Sequence, residues 1–188
     1  MLSNCSVGWV LKRSIFGRAA RWFASAGGER AVGIREVQIM RKDAKFAIAE
    51  SSAFAPVETG GMLIGHLADQ ILRLTHVTPP GPHAEHGRTH FRRDGIFSQA
   101  LLDLAVSESR GRDDYVGEWH SHPFNEGPSS QDVASLHRIG TSAKYCCPFP
   151  VLLLCRHRGR TGWKLESYQW NGARPVQVTL MEIEDIAP

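Results

Sequence analysis

The chain has 188 residues, 22% of them charged and 42% hydrophobic, the make-up of one globular domain able to bury roughly two thirds of its unfolded surface. No apolar run reaches the roughly 18 residues that a membrane-crossing helix needs. The net charge of +3 is uneven: Lys12, Arg13, Arg18, Arg21 and Arg30 against Glu29 put +4 on residues 1–30 and leave −1 on the remainder, which argues against a nucleic-acid-binding body with its basic face.

Leu11, Ile15, Ala19, Trp22 and Phe23 recur at helical spacing opposite the N-terminal basic residues, so residues 1–33 read as a basic amphipathic helix followed by a Gly27-Gly28 linker. Its composition resembles a mitochondrial presequence or a membrane-surface helix, and docking on the domain or on a partner is equally open. The domain itself is expected over 34–182, with 183–188 as a tail. Val37 to Met40 reads as a strand and Arg41 to Phe54 as a helix that ends before Pro56. Met62 to Gly65 and Ile71 to Val77 read as two strands around a turn at Ala68-Asp69-Gln70. Pro79 to Arg93, with His83, His86 and His90, reads as a long loop of solvated histidines, or a flap over a substrate tail. Asp94 is placed to cap a helix running to about Ser109, with Ile96, Phe97, Ala100, Leu101, Leu104 and Ala105 on its buried side. A helix after Asp132 presents Val133, Leu136 and Ile139, and strands follow at Pro150 to Cys155, Trp163 to Trp170 and Val176 to Met181. The order predicts an α/β (mixed α+β) fold, a curved mixed β-sheet with helices packed against it.

Cys5, Cys146, Cys147 and Cys155 form no C-x-x-C pair, which reads as free thiols in a reducing, cytoplasmic compartment. A second zinc on Cys146, Cys155 and His157 is the weaker alternative.

The chemistry concentrates in Gly117-Glu118-Trp119-His120-Ser121-His122-Pro123. Two imidazoles one residue apart point to the same side of an extended segment, and Asp132 can return to meet them. Two nitrogens and one carboxylate oxygen suit Zn2+, and three protein ligands leave a position open for water, whose pKa falls from about 15.7 to about 7. Glu58, at a helix-to-strand junction, is the candidate base. Taken singly, an H-x-H pair is often only a packing feature, and Ser129-x-x-Asp132 also spells a capping box that would open a helix.

Together, Glu58 ahead of the Gly60-Gly61-Met62-Leu63-Ile64-Gly65 strand, then His120-Ser121-His122-Pro123, then Ser129-x-x-Asp132, resemble the JAMM (MPN-plus) zinc isopeptidases over about Glu36 to Val178. Pro80-Gly81-Pro82 and Thr89-His90-Phe91-Arg92-Arg93-Asp94 add a likeness to the bacterial JAB branch, found beside E1-like and E2-like proteins in antiviral defence operons. The resemblance implies a fold shared with cytidine deaminases and one zinc ion on His120, His122 and Asp132. It also implies Glu58 as general base and acid, Ser129 beside the oxyanion, and the C-terminal tail of a ubiquitin-like protein as substrate. The family pattern has seven residues between the second His and the Ser. Here six precede Ser129, while Ser130 keeps seven but stands only two before Asp132, so the oxyanion role lies between these two serines.

Three other functions compete. A non-catalytic interaction module of the same fold would be expected to have lost a ligand, and all stand here. A metal-dependent phosphoesterase would need further carboxylates and histidines and leaves Glu58 unexplained. A zinc deaminase finds His83-Ala84-Glu85 but no P-C-x-x-C.

Overall fold

A computed structural model describes residues 33–124 and 127–184. The expected amphipathic helix within residues 1–32 lies outside them, as does most of the expected C-terminal tail. Nine strands and three α-helices make up the described part: β1 (Glu36–Met40), α1 (Arg41–Phe54), β2 (Gly60–Ala68), β3 (Ile71–Val77), β4 (Glu85–His86), β5 (Phe91–Arg92), α2 (Gly95–Glu108), β6 (Asp114–His122), α3 (Ser130–Thr141), β7 (Val151–His157), β8 (Trp163–Trp170) and β9 (Pro175–Ile183). None of these helices is long and apolar enough to cross a membrane.

The curvature expected of the sheet goes to completion. Seven strands run in the order β1-β3-β2-β6-β7-β8-β9, and β9 returns to pair with β1, closing a barrel. Pairing is mixed: β1 with β3, β6 with β7 and β9 with β1 are parallel, the others antiparallel. Closure removes the sheet edges that a flat arrangement would expose.

Helix α1 packs against the inner surface of this barrel, touching β1, β2, β3, β7, β8 and β9. Its buried stripe is Ala44, Ala47 and Ser51, side chains small enough to let a helix approach strands on several sides. Ser51 donates its hydroxyl to the Ala47 carbonyl at 2.7 Å, so its burial leaves no unmet donor. Val37, Ile39, Leu63, Leu72, Leu74, Trp119, Val151 and Leu153 surround that stripe.

On the outer surface α2 covers Met62, Ile64 and Tyr115 with Leu102 and Ala105, and Leu136 of α3 joins Leu152, Leu154 and Trp170. The seat of α2 departs from expectation. Ser98, Leu102 and Ala105 face inward, whereas Ile96 and Leu104 are 65% and 54% exposed and Ala100 also faces solvent. The helix is apolar nearly all round, so its periodicity carried no unique phase. Its N-cap is as expected, the Asp94 carboxylate accepting from the Ile96 and Phe97 amides.

The stretch from Pro79 to Arg93 is more ordered than a loop of solvated histidines. Strands β4 and β5 form a two-stranded ribbon, with Glu85 opposite Arg92 and His86 opposite Phe91, and His86 lies between the rings of Phe54 and Phe91, with centroids 4.1 and 5.4 Å away.

Candidate metal centre

Strand β6 carries the site because of one irregularity. Leu63 of β2 pairs with Gly117 and Ile64 with Tyr115, leaving Val116 as an extra residue, a β-bulge that resets which side chains face out. Beyond it Glu118, His120 and His122 share the outer face while Trp119 and Ser121 point inward and are wholly buried. Gly117 permits this with φ of +152°, and a Cβ there would strike the Val151 carbonyl oxygen.

The two imidazoles converge, His120 Nε2 lying 3.1 Å from His122 Nε2. Asp132 enters from the first turn of α3, its Oδ1 3.1 Å from His120 Nε2 and its Oδ2 3.4 Å from His122 Nε2. Four ligands at about 2.0–2.1 Å from a tetrahedral ion stand about 3.3–3.4 Å apart. The observed separations therefore fit one divalent cation, with all candidate atoms within 4.8 Å of one another. Among the described residues no other trio of His, Cys, Asp or Glu comes together in this way. Cys146, Cys155 and His157 do not assemble into a second site, and Cys155 lies buried in the barrel core.

Ser129 is the N-cap of α3. Its Oγ accepts from the Asp132 amide at 3.2 Å and donates to Asp132 Oδ2 at 2.8 Å, and its own amide donates to that oxygen at 2.6 Å. The capping-box and ligand readings of Asp132 are thus compatible, one oxygen held by the cap and the other turned to His120. Ser130 is the first residue of the helix and exposed.

Glu58 reaches the site by backbone lashing. Thr59 donates its amide to Ser121 Oγ at 3.0 Å and accepts from the Ser121 amide at 2.8 Å, so the residue between the two histidines ties down the residue after the candidate base. Gly60 pairs with His120, and a Cβ on Gly60 would meet the Trp119 carbonyl at 2.3 Å and His120 Cβ at 2.7 Å. The glycine lets β2 lie against β6 at this point. Ser121 was legible in principle: alternation on a strand sends it inward, and a buried hydroxyl and its neighbours need partners.

Burial pushes the Glu58 carboxyl up to about 7, against the pull of His120 and with a further push from Asp132. Burial, with His120, holds His122 down to about 4, so its ring is neutral near pH 7, the form that ligates metal. Asp132 is held at about 2: its burial is outweighed by hydrogen bonding and charge from His120 and by the Ser129 donors. For His120, burial acts downward but Asp132, Glu58 and Glu118 together raise it. A cation bound here would compete with a proton for the His120 ring. Beside these three residues, Glu118 pairs with Arg93, both partly buried, a pairing not foreseen from the sequence.

Residues 42–169 match the family described as prokaryotic homologs of the JAB domain. The chain belongs to the prokaryotic JAB family. Among its JAB relatives is a CD-NTase/cGAS isopeptidase of Escherichia coli (strain TW11681), 37% identical over 83 residues, 44% of this chain and 53% of that protein. Another, from Vibrio cholerae serotype O1, carries the same name and is 34% identical over 82 residues, 43% of this chain and 53% of its own length. A probable metalloprotease, y4qB of Sinorhizobium fredii, is 31% identical over 121 residues, 63% of this chain and 70% of that protein. The JAB chain thus spans about half the length of these two isopeptidases. In three dimensions it is similar to protein DSY2949 of Desulfitobacterium hafniense, with a TM-score of 0.61 over 80% of this chain and 94% of that one at 16% identity, a likeness of fold.

Proposed function

We propose that this JAB protein is a zinc-dependent isopeptidase that cleaves after the C-terminus of a ubiquitin-like protein, within a cytoplasmic bacterial conjugation system of antiviral defence. The reading rests on the convergence of His120, His122 and Asp132 beside a carboxylate, Glu58, pushed up to about 7, where a general base works best near neutral pH. Relatives named isopeptidase and metalloprotease support it. E1-like and E2-like proteins are the partners such a system implies.

His120, His122 and Asp132 would hold a dication, which would supply Lewis acidity and lower the pKa of water from about 15.7 to about 7. Glu58 takes the proton of the attacking water and passes it to the departing lysine or main-chain amine. The Ser129 hydroxyl, now directed to Asp132 Oδ2, turns to donate to the developing oxyanion. An extended tail binds by strand addition. The barrel is closed, whereas the β4–β5 ribbon, bonded to Glu58, is only two strands wide, which favours the ribbon as its docking edge.

The test is a fusion of a ubiquitin-like domain to a reporter, with metal measured in the same samples. Glu58→Gln is expected to retain zinc and lose about 10²–10⁴ in kcat, the usual share of a general base. A folded wild-type protein with no bound metal after purification without chelator removes the enzyme reading, and full-rate cleavage by Glu58→Gln removes the base.

A further inference from the structure

The ribbon that follows β3 does more than lie near the site. It grips Glu58 by both of its backbone polar groups: the Glu58 amide donates to the Gly87 carbonyl at 2.7 Å, and His86 Nδ1 lies 3.0 Å from the Glu58 carbonyl oxygen. A carbonyl oxygen only accepts, so His86 Nδ1 carries the hydrogen. The ring is held in that orientation by stacking on Phe54, the last residue of α1, at 4.1 Å with planes 18° apart, and by Phe91 of the facing strand at 5.4 Å. The ribbon is fastened on its far side too, the Arg88 guanidinium carbon lying 4.9 Å from the Phe124 ring centre, two residues past ligand His122. One hairpin therefore ties Glu58 to the segment that follows the metal-ligating pair.

We infer that His86 is a positioning residue for Glu58, fixing the backbone from which the carboxylate reaches the attacking water. The role rests on the isopeptidase reading given above. The His86 side chain, held between Phe54 and Phe91 and bonded to the Glu58 carbonyl, acts through that backbone alone, while a tail added to the ribbon pairs with its main chain. Glu58 sits between Phe54 and Gly60 with no helix or strand of its own, so its backbone groups need partners from elsewhere. Thr59 finds them in Ser121 and Glu58 finds them in the ribbon. Second-tier contacts of this kind are commonly worth about 10–100-fold in activity, because an acid–base group misplaced by about 1 Å loses most of its effect.

Two variants separate the hydrogen bond from the stacking. His86→Phe keeps an aromatic ring between Phe54 and Phe91 but has no donor. His86→Asn places an amide N–H close to where Nδ1 stands. In the zinc-loaded protein, His86→Phe is expected to speed hydrogen exchange of the Glu58 amide about tenfold, the opening that one lost hydrogen bond permits. His86→Asn is expected to restore protection, with the β6 amides unchanged in both. The absorption spectrum of the Co2+-substituted protein should not move, since the ligands are untouched. On a ubiquitin-like fusion, kcat should fall about tenfold in His86→Phe at constant KM and recover in His86→Asn. Wild-type exchange at Glu58 in His86→Phe overturns the assignment, as does an altered cobalt spectrum or a His86→Asn protein no better protected than His86→Phe. These readouts do not depend on turnover. If Glu58→Gln cleaves at full rate the base role fails while the clamp still stands or falls on exchange.

Discussion

Glu58 and Glu166 are both carboxylates drawn out of water, and they titrate at opposite ends of the acid range. Burial alone would raise Glu166, but Tyr168 Oη at 2.8 Å, Arg158 Nη2 at 2.6 Å and Arg156 Nη1 at 2.5 Å donate to it and hold it near 2. Glu58 has no such set, and burial carries it to about 7. Glu166 is the hub of a completed network joining β7 and β8, with these three donors aimed at it. Glu58 stands within electrostatic reach of His120 and Asp132, members of a group whose spacing fits one cation. Burial of charge by itself marks nothing; a buried cluster left one positive partner short marks a site.

Removing the charge at each position should therefore do opposite things. If Glu58 is the proposed base, Glu58→Gln is expected to lose about 10²–10⁴ in kcat with no loss of melting temperature, since a carboxylate held away from its preferred ionisation does not stabilise the fold. Glu166→Gln removes the carboxylate of a buried ion pair with Arg156 and is expected to cost about 3 kcal/mol, or about 6–12 °C in Tm for a chain of this size, while metal content stays intact. Equal losses of stability at the two positions would erase the distinction.

The pH dependence sharpens the contrast without relying on activity. In metal-free protein, Glu58 has a folded pKa of about 7 above its ordinary 4.5, so its contribution is present below pH 4.5 and lost as pH rises through 7. Wild type and Glu58→Gln should melt together below about pH 4.5, with wild type falling behind as pH rises from 4.5 to about 7 and the gap constant above that. Glu166 runs the other way. Its folded pKa of about 2 lies below 4.5, so its contribution is present above 4.5 and lost as pH falls through 2, and Glu166→Gln should converge with wild type in acid. Added zinc attracts the Glu58 carboxylate and should draw the upper window down. Thermal unfolding across pH, with and without chelator, reads both.

A smaller effect is expected at Ser121. Ser121→Ala removes the acceptor of the buried Thr59 amide, which costs about 1–3 kcal/mol and should lower kcat about tenfold by loosening Glu58. Ser121→Thr keeps the oxygen and should behave as wild type. Normal turnover in a destabilised Ser121→Ala protein would show that the lashing serves the fold alone.

Much of this was legible in the chain itself. H-x-H on a strand and a carboxylate at a helix start follow from two periodicities and a cap, so His120, His122 and Asp132 could be proposed together without coordinates. The helix boundaries at Arg41 and Asp94 were equally plain, one closed off by Pro56 and the other capped by a carboxylate. What escaped was long-range. Closure of the sheet depends on β9 meeting β1, from Glu36 opposite Thr179 to Met40 opposite Ile183, and no local pattern records that pairing. His86 looked like one of three loop histidines because its partners, Phe54 and the Glu58 carbonyl, lie 32 and 28 residues away in sequence.

Helix α2 failed for a different reason, and it supplies the smallest prediction. Ile96, Ala100, Leu101, Leu102, Leu104 and Ala105 circle the helix, so two stripes compete, and burial falls on the one with Ser98 because Leu102 and Ala105 meet Met62, Ile64 and Tyr115. Ile96 and Leu104 are left facing solvent. Ile96→Gln and Leu104→Gln should each change stability by no more than about 0.5 kcal/mol, whereas Leu102→Ala, which opens a cavity against the barrel, should cost about 2–5 kcal/mol. Denaturant titration of the three variants measures which stripe is inside. A Leu104 loss as large as that at Leu102 would mean that the exposed stripe is covered in solution, and only then would the apolar face of α2 need a partner to explain it.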